Sequence, residues 1–120
     1  MTETEVAGNR VVYNGSDPGG IAAGAAISNG GTLTATRNKV FRNTATAEGG
    51  TAQGGGLDHA GGATGLGTTT LEQNTIAHNR AGDGGGIFKA SGTLTLSGDT
   101  VRDNAPNNCS PAGAVPGCTG

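Results

Sequence analysis

Aromatic side chains are nearly missing from this sequence: there is no Trp, one Tyr and two Phe among 120 residues. Without rings there is no platform for stacked bases. A formal net charge of −2, with only 13% charged residues, removes the strong electrostatic case for a nucleic-acid partner. Long apolar runs are missing too. None approaches the roughly 18 residues that a membrane-crossing helix requires, so no membrane-spanning segment is expected. Residues 1–10 lack the basic start and apolar core of a signal peptide. No window shows apolar spacing of 3.6, and the 25 glycines would each weaken a helix by roughly 1 kcal/mol. Helical repeats therefore fit badly. Cysteine is down to two, Cys109 and Cys118, with no His nearby, which is half of a zinc site at best. No metal or other cofactor is expected.

What is present is a repeated phrase: Asn, any residue, Val or Ile, any two residues, then Asn. It occurs at Asn9–Asn14, Asn38–Asn43 and Asn74–Asn79, and again at Asp99–Asn104 with Asp leading. The starts lie 29, 36 and 25 residues apart. Self-similarity of this kind marks a repeat architecture with loops of varying length. Ahead of the phrase, Leu33 and Ala35, Thr69 and Leu71, and Leu94 and Leu96 alternate with outward polar residues, mostly Thr. Period two with β-branched partners reads as a half-buried strand. After the phrase, a glycine cluster leads to one aliphatic: Gly19-Gly20-Ile21, Gly54-Gly55-Gly56-Leu57 and Gly84-Gly85-Gly86-Ile87. The chain thus reads as all-β, a parallel β-helix of three to four coils with three short strands each. Val11, Ile21, Leu33, Leu71, Ile76, Leu94, Leu96 and Val101 are expected to face inward.

The asparagines have a structural task to be weighed before any chemical one. At a corner between strands Asn tolerates left-handed backbone and bonds neighbouring backbone groups. Stacked coils would place equivalent amides about 4.7–4.8 Å apart, the spacing of a hydrogen-bonded ladder. One ladder is expected from Asn14, Asn43, Asn79 and Asn104, and a second from Asn38, Asn74 and Asp99. Residues 1–105 form the repeat domain, its first coil incomplete, so the chain reads as a piece of a longer solenoid. Residues 106–120 form a looped tail, rich in Pro, Gly and Asn. A Cys109–Cys118 disulfide is expected to close it, which fits an oxidising, extracellular or cell-surface location.

A Gly-Gly-x-[Ile/Leu]-type motif paired with aliphatic-x-x-Asn resembles the repeat of bacterial polymorphic outer-membrane proteins. The matching stretches are Gly85-Gly86-Ile87 with Val101–Asn104, Gly55-Gly56-Leu57 with Ile76–Asn79, and Gly19-Gly20-Ile21 with Val40–Asn43. The chain departs from that repeat in carrying Val or Ile where the family usually has Phe. The resemblance extends to secreted and surface right-handed β-helix proteins of the pectin-lyase-like superfamily. It implies a right-handed single-stranded helix and a non-catalytic adhesin or scaffold whose partner is a surface glycan or protein. It also raises the alternative of a remnant polysaccharide lyase or glycoside hydrolase, as an analogy of fold only.

Catalytic candidates are thin. Asp58 and His59 are adjacent, so on a strand their side chains point to opposite faces and cannot readily cooperate; solvated surface residues are the expected reading. The stretch from Asn43 to Leu57 exceeds that from Asn79 to Ile87, so residues 46–53 are expected to bulge as a loop. Together with Asp58 and His59 that loop is a candidate ligand-contact region, the competing reading being a tolerated Gly/Ala spacer. Thr32 and Thr34, Thr68 and Thr70, and Thr93 and Thr95 would stack into a flat outward array. Thr34, Thr70 and Thr95 are the candidate contacts there, and such rows resemble ice-binding faces of β-solenoids. The Gly82–Gly86 stretch looks like a nonapeptide calcium turn, but it occurs once and supplies too few ligands.

Overall fold

The computed structural model describes residues 1–60 and 64–120. Among these the chain is all-β: no helix is present, and hence none long and apolar enough to cross a membrane. Fifteen short strands follow in order: β1 (Glu5–Ala7), β2 (Arg10–Tyr13), β3 (Ile21–Ala23), β4 (Ile27–Asn29), β5 (Thr32–Thr36), β6 (Lys39–Phe41), β7 (Thr44–Ala47) and β8 (Thr51–Gln53), then β9 (Leu57–His59), β10 (Thr68–Glu72), β11 (Thr75–Ala77), β12 (Ile87–Lys89), β13 (Thr93–Ser97), β14 (Thr100–Arg102) and β15 (Cys109–Ser110). No strand pairs with its sequence neighbour. Each pairs, in parallel, with the strand at the same place in the next repeat, giving sheets β1-β6-β11-β14, β5-β10-β13 and β4-β9-β12-β15, and the pairs β2-β7 and β3-β8.

Register follows the aliphatic positions. Val6, Val40, Ile76 and Val101 stack in one file. Leu33, Thr69 and Leu94 make a second, and Ala35, Leu71 and Leu96 a third. Ile27, Leu57, Ile87 and Cys109 make a fourth. The main core is drawn from these files, fully buried in the middle repeats; Leu33, Leu96 and Val101 are half-buried against it. A one-residue slip would turn every such side chain outward, so this core fixes the pairing.

The first repeat differs from its sequence reading. Val6, not Val11, is the partner of Val40, so the segment aligned with Asn38–Asn43 is Thr4–Asn9, and the copy at Asn9–Asn14 is fortuitous. Val11 lies on β2 and packs into a second, smaller core with Ala22, Ala45, Ala52 and Ala81. Ile21 is not inward: it is 58% exposed, and Ile27 holds the place of Leu57 and Ile87. The discriminating signal is one glycine in left-handed backbone three residues before the inward aliphatic. Gly24, Gly54 and Gly84 have φ of 62°, 63° and 56°, and any Cβ there is strained.

Residues 46–53 do not bulge freely. β7 and β8 pair with β2 and β3, so the longer first and second repeats share an ordered side extension two strands deep. The third repeat keeps only single bridges at Arg80 and Asp83 in its place. The tail is more than a loop. β15 continues the β12 sheet, and Val115, 2% exposed, folds back with Cys109 into the main core.

Candidate functional site

Two amide ladders run along the stack. In the first, the Oδ1 of Asn43 accepts from the backbone and side-chain N–H groups of Asn9 at 2.9 and 3.0 Å. Asn79 accepts likewise from Asn43, Asn104 from Asn79, and Asn108 from Asn104, all within 2.9–3.1 Å. In the second, Thr4 donates its backbone N–H to Asn38, Asn38 donates to Asn74, and Asn74 donates to Asp99. Asn14 is exposed and lies outside the ladder; Asn9 takes its place because the first repeat is registered five residues earlier. Asp99 fits where it stands, since the last member only accepts: its Oδ1 takes both Asn74 donors and its Oδ2 the Ser97 N–H.

The left-handed residue at each corner is not the asparagine but the one before it. Arg37, Arg42, Gln73, His78 and Asp103 have φ between 55° and 57°, and Gly8 and Gly98 fill the same place at 69° and 68°. The Asn side chain can then reach along the stack rather than back to its own turn. Every ladder member from Asn38 to Asn79 is buried, and each holds both backbone and side-chain partners in the adjoining repeats. This is structural chemistry, with no side-chain atom left over for a ligand.

Asp58 and His59 depart from the solvated expectation: both are buried, on β9 between β4 and β12. Asp58 accepts from Gln53 Nε2 at 3.2 Å, while His59 Nδ1 lies 3.1 Å from Thr69 Oγ1 on the other face. Burial pushes the Asp58 carboxyl above its ordinary value and the His59 imidazole below its own, and the Lys89 charge in the next repeat also lowers His59. His59 Nε2 has no hydrogen-bond partner among the described residues. The pair is divided between two faces, as alternation requires. Neither side chain is exposed at the surface.

The outward face of β5, β10 and β13 is the most regular surface on the molecule. Thr32, Thr68 and Thr93 form one row, Thr34, Thr70 and Thr95 a second, and Thr36, Glu72 and Ser97 a third. Strand geometry sets neighbours within a row about 4.8 Å apart and successive rows nearly 7 Å apart. Thr32, Thr34, Thr93 and Thr95 are exposed, and Thr36, Thr68 and Thr70 half-buried. Beside this face, at the free edge of β13, a groove of about 240 Å³ lies between Lys89, Thr93, Thr95, Ala114 and Pro116.

Other candidates are accounted for locally. Asp83 accepts from the Gly84 N–H and from Asn107 Nδ2, so it caps its own turn. Among the described residues no three His, Cys, Asp or Glu side chains gather as a metal-binding group. Cys109 and Cys118 are joined in a disulfide. Comparison of the chain with protein-family models, with curated proteins and with solved structures finds no match.

Proposed function

We propose that this chain is a right-handed parallel β-helix repeat domain of the secreted or cell-surface type. It acts as a non-catalytic adhesin or scaffold whose threonine-lined face meets a glycan or protein. The observation that carries this reading is the three-row Thr, Ser and Glu array on β5, β10 and β13, held in register by ladders that use up every buried amide. Hydroxyl rows on a rigid sheet offer many weak donors and acceptors over a flat area, which suits an extended partner better than a small substrate. Burial and separation of Asp58 and His59 favour the non-catalytic reading over a polysaccharide lyase or hydrolase, which needs a positioned base or two carboxylates. The disulfide favours an oxidising compartment, and the motif resemblance to polymorphic outer-membrane repeats points the same way.

Incubation with a polysaccharide panel should leave neither unsaturated nor new reducing ends; either product would overturn the reading. Binding to immobilised glycans and proteins should fall at least tenfold when Thr34 and Thr95 are both changed to Lys, with the thermal transition unchanged. Ice binding is the second reading, favoured by the same regular spacing. It predicts thermal hysteresis that disappears in Thr34→Leu and Thr95→Leu.

A further inference from the structure

Charge is unevenly shared around the stack. The corner that holds the first amide ladder gathers cations on both sides of the asparagines. Arg42 and His78 stand in the left-handed position before Asn43 and Asn79. Arg10 and Arg80 follow Asn9 and Asn79 in one bridged file, with Thr44 between them. Arg102 ends β14, in register with Ala77. Residues 7–10, 41–44, 77–80 and 102–105 make up this ridge. They include four of the seven Lys and Arg but one of the nine Asp and Glu. The ridge thus has a formal charge of +3 in a chain of net −2, and the remainder has −5.

Ion pairing does not cancel this charge. Arg102 is paired with Asp103, and the other salt bridge, Arg37 with Glu3, belongs to the preceding corner. Among the described residues no carboxylate pairs with Arg10, Arg42 or Arg80, and all three are exposed. The Arg42 guanidinium lies over the Phe41 ring, 5.4 Å from its centroid, which steadies it while leaving its N–H donors free. Every strong cation of the ridge is arginine, whereas Lys39 and Lys89 stand elsewhere. The planar guanidinium fork sets two donors against one carboxylate or sulfate, which a lysine ammonium does not.

We propose that this ridge binds an acidic polysaccharide laid along the stack, its carboxylate or sulfate groups paired with Arg10, Arg42 and Arg80. These arginines belong to the first, second and third repeats, so one unpaired cation is added per layer of about 4.8 Å. A linear polymer with a charge on each sugar, or on each pair of sugars, can follow that rise; a compact anion meets only one layer. A single-stranded nucleic acid needs rings on which to stack, and Phe41, half-buried beneath Arg42, is the one ring here. A lipid surface favours exposed aliphatics beside the cations, and no aliphatic larger than alanine stands in the ridge. β6, β11 and β14 separate the ridge from the threonine rows, so the proposal stands independently of that face.

Titration of the full chain with heparin and with polygalacturonate, a sulfated and a carboxylated polymer, tests this at low salt, with dextran as the neutral control. At least one acidic polymer should bind and dextran should not. Affinity should fall steeply as salt is raised, because exposed charges are readily screened. Arg42→Gln with Arg80→Gln should weaken binding roughly fivefold or more and leave the thermal transition in place. Arg37→Gln with Lys89→Gln removes the same formal charge away from the ridge and should leave the affinity unchanged. Thr34→Leu with Thr95→Leu should leave it unchanged as well. Absence of binding to both acidic polymers, equal losses in the two charge-matched pairs, or a loss in the threonine pair would each overturn the proposal. Tighter binding to poly(U) or to phosphatidylserine vesicles than to either polysaccharide would overturn it too.

Discussion

Asn79 lies in the middle of the ladder and is 1% exposed, and removing it should be far more costly than removing an ordinary polar residue. Its Oδ1 accepts from Asn43 N and Nδ2 at 3.0 and 2.9 Å, and its Nδ2 donates to the Val40 carbonyl and to Asn104 Oδ1, each at 3.0 Å. In Asn79→Ala, Asn104 Oδ1 keeps the backbone donor of residue 79, and Asn43 Nδ2 keeps the carbonyls of Val6 and Phe41. The Asn43 N–H and one lone pair of Val40 are left without that partner in a buried setting. Two such groups at roughly 1–3 kcal/mol each, plus a small void, give about 3–5 kcal/mol. For a chain of this size each kcal/mol lowers Tm by about 3–5 °C, so a fall of about 10–20 °C is expected. Asn79→Asp separates hydrogen bonding from shape. It keeps the acceptor for Asn43 but turns an oxygen toward the Val40 carbonyl and Asn104 Oδ1, and should be at least as damaging. Asp99→Asn, at the accepting end of the other ladder, should cost no more than about 1 kcal/mol. Urea unfolding followed by circular dichroism reads all three. The ladder argument fails if Asn79→Ala costs no more than Asn14→Ala, which lies outside the ladder and should stay within about 0.5 kcal/mol of the parent.

The other predictions concern the corner residues, the buried histidine, the third-repeat glycines and the tail. Arg42→Gly and His78→Gly relieve left-handed backbone at φ near 56°; after the entropic cost of glycine each should stabilise by about 0.5–1 kcal/mol, read as a higher urea midpoint. His59 is held below its ordinary 6.5 by burial, so the unfolded chain takes up this proton first. Stability should therefore be full above pH 6.5 and fall as pH drops from there toward the folded value. His59→Gln should flatten that limb, whereas an unchanged slope would assign it to other groups. Asp58 works in the opposite sense: its carboxyl is raised above 3.8 by burial, so the folded form loses stability as pH rises from 3.8 through the raised value. Gly86→Ala would place a Cβ 2.4 Å from the Asn108 carbonyl and should cost about 1–3 kcal/mol by thermal melt. Reducing Cys109–Cys118 should cost about 2–3 kcal/mol, with amide exchange near Val115 rising ahead of exchange in β10.

Residues 33–43 and 68–104 were legible because alternating aliphatics and Asn spacing coincide there, with glycine clusters marking Leu57 and Ile87; β7 and β8 between them were instead expected as a free loop. Leu71, Ile76, Leu94, Asn43 and Asn79 needed no structure to be located. Repeat one misled because two partial matches compete within ten residues. Asn9–Asn14 imitates the phrase, while the real unit starts at Thr4, whose backbone rather than side chain joins the ladder. Gly19-Gly20-Ile21 likewise imitates the glycine cluster, while Gly24-Ala25-Ala26-Ile27 keeps only the one glycine that backbone geometry demands. The rule that would have separated them is a glycine three residues ahead of the aliphatic, not a glycine beside it. Burial of Asp58 and His59 was hidden for another reason. Their partners stand on other strands, Gln53 on β8 and Thr69 on β10, which the linear pattern does not place over them, and a charged pair at the end of a strand otherwise reads as solvated.

Variation along this chain is confined by the ladders. From β9 through β14 the repeats superpose strand for strand with β4 through β6, since an aliphatic file and an Asn file each tolerate only one register. Besides the eight residues that separate β9 from β10, against two between β4 and β5 and three between β12 and β13, length changes between the trailing Asn and the left-handed glycine. That interval holds β2 with β3, and β7 with β8, in the first two repeats, but shrinks to bridges at Arg80 and Asp83 in the third. The extension has its own small alanine-rich core, so its outward residues can change without disturbing the main stack. Exchanging residues 44–53 for the shorter third-repeat segment Arg80–Asp83, with β2 and β3 shortened to match, should therefore leave the Asn43–Asn79–Asn104 ladder and its exchange protection intact. It should also remove the exposed Val12 and Ile21 side chains. Loss of protection in β10 and β11 would mean that the extension supports the stack, and would refute the separation of the two cores.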